Sequence, residues 1–410
     1  QRKDLAPVYS FNGDSLFLAK QEGLGQAIPG GNKKQNPKWL NGKKVAIVTD
    51  WLTTYGGAEK VVATVSEIFP EAPIFTSQYS EREIDWFRGR DVRTGWLNIF
   101  PAKLRKILGV FRLWYFSQLD LSEFDVIISI AIGESKGVKT SPGQLHVSYL
   151  QGPPVQYYWG MYDQYIENPG FGSFNPVVRF FFRLLVRPLR QKDYTLAQRP
   201  DVLIANSTYS ASEIERYYDR NAAVVFPPVE VDVFRPSQKK GDYFISTSRQ
   251  VNWKRLDIAI EAFSKTGQKL LLVGGGAEHD RLVEMAKGVE NIEFIEVVKD
   301  PKRLADLVSS ARGFIFPSLE PFGIAPIEAL SAGVPVIAYG KGGALDYIVD
   351  GKNGLLFDEQ TSESLLTALK RFETIKFDTS VVARSAQRFS TAHFRRAFSK
   401  AVKEAIREKH

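Results

Sequence analysis

The sequence predicts an α/β protein made of two doubly wound units facing each other across a cleft, with a C-terminal helix crossing back to the first unit. Short apolar runs suited to buried parallel strands alternate with helical segments through both halves. At 410 residues the chain exceeds what one core ordinarily supports. Between the halves Pro227-Pro228 breaks the alternation, because a proline pair cannot continue a regular element and stiffens a linker.

Residues 1–42 are rich in Gly, Gln, Asn and Lys without sustained periodicity, and read as a poorly structured or peripheral extension in which Ser15 to Ala19 could pair or pack locally. Order is expected from the run Lys44 to Asp50, a first buried strand, followed by a loop with Gly56-Gly57 that feeds a helix through Phe69. Further strand-like runs are Ala72 to Thr76, Phe124 to Ser129, Leu145 to Tyr149 and Asp201 to Asn206, with a helix over Ala211 to Tyr218. The second half repeats the scheme at Tyr243 to Arg249, Lys269 to Gly274, Ile292 to Ile295, Gly313 to Pro317 and Val334 to Ala338. The boundaries drawn from this are 1–42, 43–228, 229–385 and a terminal helix over 386–410. That helix carries Phe394, Phe398, Val402 and Ile406 at i, i+4 spacing, an apolar stripe that must pack on something.

Composition excludes several classes. With no cysteine there are neither disulfides nor thiolate metal sites, which suits a reducing compartment. The four histidines, at 146, 279, 393 and 410, have no metal-ligand spacing, so no metal is expected. No apolar run reaches the ~20 residues that span a bilayer. A net charge of +8 favours an anionic partner, and no nucleic-acid-binding motif accompanies it.

The most informative stretch runs from Ser318 to Gly333, where Glu320 and Glu328 bracket the turn Pro321-Phe322-Gly323-Ile324 between a short strand and a helix. Amides opening a helix at such a junction carry partial positive charge and accept an anionic or hydroxyl-rich ligand. Read by themselves, the two carboxylates also fit a plain surface. Arg249 at the end of a strand and Lys254 at the start of the next helix, with Asn252 placed to cap, make a diphosphate clamp, or else a solvated basic turn. Gly56-Gly57 either supplies backbone donors from the other unit or is a tight turn, and Gly274-Gly-Gly passes under a ligand or is a flexible exit.

Arg249 with Lys254, the Glu320 and Glu328 pair around Pro-Phe-Gly, Gly56-Gly57, Asn206-Ser207 and Pro227-Pro228 occur in the order found in retaining glycosyltransferases of the GT-B fold, and from residue 44 to about 405 the chain resembles that family. The resemblance implies two Rossmann-like domains, the first for the acceptor and the second for a nucleotide sugar. It also implies transfer of a mannose- or glucose-type hexose from a GDP- or UDP-sugar, with retention and without a metal, to a glycan or lipid-linked acceptor. Arg249 and Lys254 would hold the diphosphate, Glu320 and the Pro321 to Ile324 turn the sugar, Glu328 the ribose, and Gly56, Gly57 and Gly274 the phosphate side. Where the family places a histidine after the strand ending at Tyr149, this chain has Gln151, which donates hydrogen bonds but does not titrate. His146 is no substitute, since five residues along a strand place it on the opposite face.

Downstream of Gln151, the aromatic cluster that includes Tyr157 and Trp159 is suited to stacking on sugar rings, or to core packing. Arg179, Arg183 and Arg187, spaced i, i+4, i+8 among bulky apolar residues, make a basic amphipathic helix fit for an anionic membrane face, or a core helix with a solvated edge. The stretch Leu104 to Trp114 has the same flavour. Together these readings predict a cytoplasmic enzyme, peripheral at the inner face of the plasma membrane. The rivals are a weak or inactive relative that only binds nucleotide sugar or glycan, motivated by Gln151, and a dinucleotide oxidoreductase, disfavoured because neither half has GxGxxG after its first strand.

Overall fold

The computed structural model describes residues 35–101, 108–154, 159–167 and 175–409. Tyr157, the basic residues Lys103 to Lys106 and the run Ser15 to Ala19 lie outside these residues.

The first half is a parallel sheet of β1 (Val45–Thr49), β2 (Ile74–Thr76), β3 (Val92–Thr94), β4 (Val126–Ala131), β5 (Leu145–Leu150), β6 (Val202–Ala205) and β7 (Ala223–Val224), in the spatial order β3-β2-β1-β4-β5-β6-β7. Its helices are α1 (Gly57–Ile68), α2 (Gly109–Gln118), α3 (Tyr162–Glu167), α4 (Asn175–Ala197) and α5 (Thr208–Tyr218). A second parallel sheet contains β8 (Tyr243–Thr247), β9 (Lys269–Val273), β10 (Ile292–Ile295), β11 (Gly313–Phe316), β12 (Val336–Tyr339) and β13 (Gly354–Phe357), ordered β10-β9-β8-β11-β12-β13. Around it lie α6 (Leu256–Phe263), α7 (His279–Met285), α8 (Pro301–Ser310), α9 (Ile324–Ser331), α10 (Ala344–Tyr347), α11 (Ser362–Phe372) and α12 (Thr379–Ala386), and α13 (Thr391–Lys409) ends the chain. Both sheets reverse their strand order once, between β1 and β4 and between β8 and β11, and ligands of doubly wound folds bind at such a reversal.

Strands covered on both faces read as continuous apolar runs, which is why most were visible in the sequence. On the second sheet, adjacent residues serve opposite cores: Ile245, Leu271 and Phe314 face α8, α9 and α12, while Phe244, Leu272 and Ile315 face α6 and α11. On the first sheet, α1 and α13 cover one face through Val61, Val65, Phe394 and Phe398 against Ile47, Val147 and Tyr149. The opposite face carries α2, α4 and α5.

The terminal helix does cross back. Tyr149 of β5 meets Phe394 at 5.9 Å and Phe398 at 6.0 Å between ring centroids, and Lys409 pairs with Asp201 at 2.7 Å. Ala405 is buried where Ile406 was expected, and Ile406 packs at the margin. The two chain crossings between the halves lie side by side, since the Val229 amide donates to the Phe389 carbonyl at 2.9 Å.

Several expectations change. Residues 35–42 are not peripheral: Leu40 is buried in the first core and Trp39 packs edge-on against Phe69, so a short 3₁₀ turn is anchored by two apolar side chains that composition obscured. β3 and β7, of three and two residues, and β13 were not foreseen, and β7 ends at Val224, shortly before the Pro227-Pro228 linker. Asn252 does not cap α6. It opens a 3₁₀ turn, and the N-cap is Arg255, held left-handed at φ 51° with its guanidinium on Asp257 at 3.1 Å.

Candidate functional site

A cleft of about 470 Å³ lies between the sheets at both strand-order reversals. From the first half it is lined by Gly57, Lys60, Ile132, Gln151 and Asn206, and from the second by Thr247, Arg249, Lys254, Lys299, Glu320, the Pro321 to Ile324 turn and Glu328. Residues from seven separate sequence regions thus converge on one space.

Two helices begin in this cleft, α1 after β1 and α9 after β11. Their N-caps are Gly56 and Gly323, residues with no side chain to occupy the first-turn amides. By contrast α5, α8, α11 and α12 are closed by Ser207, Asp300, Thr361 and Asp378, whose side chains accept from first-turn amides. The two glycine-started ends meet: a Cβ on Gly57 would fall 2.5 Å from Cδ1 of Ile324. Two glycine-started helix ends therefore face one volume: α1 carries the buried Glu59 carboxylate beside Gly56, whereas α9 has no capping side chain and offers its first-turn amides to a phosphate-bearing ligand.

Gly323 has φ 91°, and a Cβ there would meet the Tyr347 hydroxyl at 2.8 Å and the Phe316 ring at 2.9 Å. The turn is braced from behind by Gly342-Gly343, where added Cβ atoms would strike the backbone of Glu320, Pro321 and Phe322, and the Gly343 amide donates to the Glu320 carbonyl at 2.9 Å. Sequence reasoning missed this brace; its signal was the glycine-rich run Gly340-Lys-Gly-Gly343 at the end of an apolar strand. Phe322 is buried, stacked on Phe226 and edge-on to Phe389, so it anchors the turn.

The two charged groups singled out separately are brought into direct contact. The Lys254 ammonium is paired with the Glu320 carboxylate, which also accepts from the Ser318 hydroxyl at 3.2 Å. Arg249 lies over the Trp253 ring at 5.8 Å. Glu328, one turn into α9, has its carboxyl set among protein atoms although the residue keeps some surface toward the cleft. Burial, with the negative charge of Glu230 adding, raises its pKa to about 7. Glu230 also lines the cleft and is ion-paired with Lys60 of α1; this cross-domain pair had no local signature in the sequence.

Other predicted residues separate from the cleft. Gly274 does not line it: its carbonyl accepts from the Gln250 side-chain amide at 3.0 Å, and Gly276 lies so close to the Gln250 backbone that a Cβ would come within 2.3 Å of its carbonyl oxygen. The glycine run is therefore packed under a loop. Gly56 acts as an N-cap behind Gly57. Trp159 is withdrawn into the first domain, its indole N–H donating to Asp193 at 2.9 Å and its ring near Tyr217 and Arg190; Asp193 in turn forms a buried pair with Lys136 at 2.6 Å. A satisfied indole in such a network packs the domain instead of meeting a sugar.

Gln151 does face the cleft, with its amide donating to Ala131 and its carbonyl accepting from Asn206 at 2.6 Å. His146 is fully buried on the other side of β5, bonded to the Ser129 hydroxyl at 2.8 Å, with a pKa pushed down to about 3 chiefly by burial. Arg183 and Arg187 are exposed on α4, while Arg179 is half-buried and donates to the Glu167 carbonyl at 2.8 Å.

Comparisons with known proteins agree with this geometry. Residues 230–390 match the family Glycosyl transferases group 1. The alpha-1,3/1,6-mannosyltransferase of Schizosaccharomyces pombe is 25% identical over 371 residues, covering 73% of this chain and 68% of that protein. A D-inositol 3-phosphate glycosyltransferase of Nocardiopsis dassonvillei is 27% identical, and the alignment covers 45% of this chain and half of the relative. Among solved structures, the lipopolysaccharide outer core galactosyltransferase WaaB superposes with a TM-score of 0.64 at 16% identity, over 90% of this chain and 100% of that one. Anabaena HepE, solved in complex with UDP, superposes with a TM-score of 0.62 at 17% identity, over 88% and 100%. The group 1 match thus covers the segment that holds Arg249, Lys254, Glu320 and Glu328, and the chain as a whole has the GT-B fold of the glycosyltransferase structures on which it superposes.

Proposed function

We propose that this chain transfers a mannose- or glucose-type hexose from a GDP- or UDP-sugar to a hydroxyl of a glycan or lipid-linked acceptor, with retention at the anomeric carbon and without a metal. The observation that carries the reading is the meeting of two glycine-started helix ends beside Arg249 and Lys254 at the reversal points of both sheets. That set supplies the positive charge a departing nucleoside diphosphate needs, a task otherwise done by a divalent cation.

In the free protein Lys254 is held by Glu320. A diphosphate entering the cleft competes for the ammonium, and the released carboxylate of Glu320 then accepts hydroxyls of the donor sugar. The anomeric carbon–phosphate oxygen bond breaks, the acceptor oxygen bonds that carbon on the same face, and the acceptor proton passes to the leaving phosphate oxygen. In this reading Glu328, one turn into α9 at the cleft wall, takes the ribose hydroxyls, and Gln151 and Asn206 face the acceptor. No protein general base is required by this route.

Gln151 favours a second reading, a protein that binds nucleotide sugar with little turnover. Turnover of GDP- and UDP-hexoses by wild type, Lys254→Ala and Glu320→Gln separates the two. Removing one charge-assisted donor to a buried oxyanion costs about 3 kcal/mol of barrier, so Lys254→Ala is expected to lower kcat by a factor of ~10². Wild-type turnover equal to that of both variants would overturn the transfer reading, and tight donor binding without turnover would establish the second.

A further inference from the structure

Helix α4 is buried only from Val186 onward, at Val186, Asp193, Leu196 and Ala197. Its first half presents Val177, Phe180, Phe181, Leu184 and Leu185, with Phe180 65% and Leu184 64% exposed. The spacing i, i+3, i+4, i+7, i+8 gathers these five on one stripe, and at 100° per residue the stripe lies opposite the face of Val186 and Asp193 that packs inward. Phe182, on the inward side, meets Tyr162 and Tyr165 of α3. A helix buries one apolar stripe to fold; this one has a second stripe facing solvent.

Helix α2 repeats the pattern. Tyr115 and Phe116 point inward, while Val110, Phe111 and Trp114 are exposed on the opposite side, with Trp96 at 6.0 Å from Phe111 and 5.7 Å from Trp114. Both helices cover the same face of the first sheet, each packing against the 3₁₀ turn Glu134–Gly137 after β4. An apolar surface of this extent on a water-soluble domain marks a contact surface.

Its charge identifies the partner. Between Asn175 and Lys192 there are four arginines and a lysine and no carboxylate, while α2 has no carboxylate and turns its single cation, Arg112, inward onto Glu134. By the helix geometry Arg183 and Arg187 border the exposed stripe, and both are exposed. Tryptophan and phenylalanine beside arginine, without acidic residues, suit the boundary between lipid head groups and acyl chains, where aromatic rings insert and guanidinium groups meet phosphates. No helix among the described residues is long and apolar enough to cross a membrane, so this contact is interfacial.

We propose that the first half of α4, together with α2 and Trp96, docks on an anionic lipid bilayer. This deepens the transfer reading by placing the acceptor at a membrane surface, and it rests on that reading only for its purpose. Vesicle binding needs neither donor nor acceptor, so it fails or succeeds separately from sugar transfer.

The test is co-sedimentation of the full chain with vesicles of equal parts phosphatidylcholine and phosphatidylglycerol, against phosphatidylcholine alone. Wild type is expected to pellet with the anionic vesicles at low salt and to be released as salt rises. Phe180→Glu with Leu184→Glu should abolish pelleting while leaving the unfolding midpoint unchanged, because both side chains are solvent-exposed. Arg183→Gln with Arg187→Gln should weaken binding about tenfold or more, since a cation near an anionic surface contributes roughly fivefold. Wild type remaining in the supernatant at low salt, binding equal on neutral vesicles, or undiminished binding of the Glu pair would each overturn the proposal. So would a concentration-dependent dimer dispersed by the same Glu pair, which would assign the face to a second copy of the chain.

Discussion

At Glu328 the carboxyl is set among protein atoms with Glu230 close enough to add its charge, and the two effects lift its pKa from 4.5 to about 7. The folded protein therefore holds a proton that the unfolded chain releases near pH 4.5, so stability is highest below that pH and falls as pH rises through about 7. Cleft water screens part of the effect, leaving on the order of 2 kcal/mol. Comparing unfolding midpoints of wild type and Glu328→Gln across this range should show the variant gaining relative stability as pH increases, with a plateau above 7. A difference independent of pH would mean that Glu328 ionises normally. If Glu328 accepts ribose hydroxyls, donor affinity should rise over the same window in wild type and stay flat in the variant.

Helix α13 shows how an element far along the chain completes the first domain. Phe398 is fully buried, stacked on Phe394 at 5.4 Å and set against Tyr149, whose hydroxyl donates to the Val225 carbonyl at 2.9 Å just before the linker. Truncating a core phenylalanine removes its transfer free energy and leaves a cavity, so Phe398→Ala should cost about 3–5 kcal/mol. Denaturant unfolding should show the loss in the transition of the first domain; a shift confined to the second would disprove that α13 serves the first sheet. The exposed stripe of α4 lies at the same scale: its residues are typical of a buried helix, and only its packing shows that half of them face outward.

Across the whole molecule the halves are tied on several lines around the cleft. Lys60 pairs with Glu230, the Thr208 amide and hydroxyl both donate to Asp346 (3.0 and 2.5 Å), and Gly57 abuts Ile324. Each contact joins an element of the first domain to the linker or the second domain, and together they fix the two helix ends against each other. Gly57→Val inserts side-chain volume where even a Cβ lies 2.5 Å from Ile324. Overpacking of this kind costs ~1–3 kcal/mol, which should appear as roughly tenfold weaker donor binding. Titration with UDP and GDP beside an unfolding scan checks it; unchanged binding would show that the halves need not close on this line.

The sequence by itself determined the alternation of buried strands and helices, the two-domain plan, and the residue types at each strand-to-helix junction, because these depend on local periodicity and on what glycine, proline and paired charges do to a few neighbouring residues. Glu320, Glu328, Arg249 and Lys254 stood out at such junctions for that reason, and their grouping into one site came from the family resemblance of the motif order. Tertiary structure alone decided which of them touch. It paired Lys254 with Glu320, set Gly57 against Ile324 and drew Glu230 and Lys60 into the cleft. It also moved Trp159 and Gly274 out of the cleft, because their hydrogen-bonding groups found partners inside the domains, at Asp193 and Gln250. Such contacts join residues tens to hundreds of positions apart, and no local pattern encodes where the packing of two sheets will bring them together.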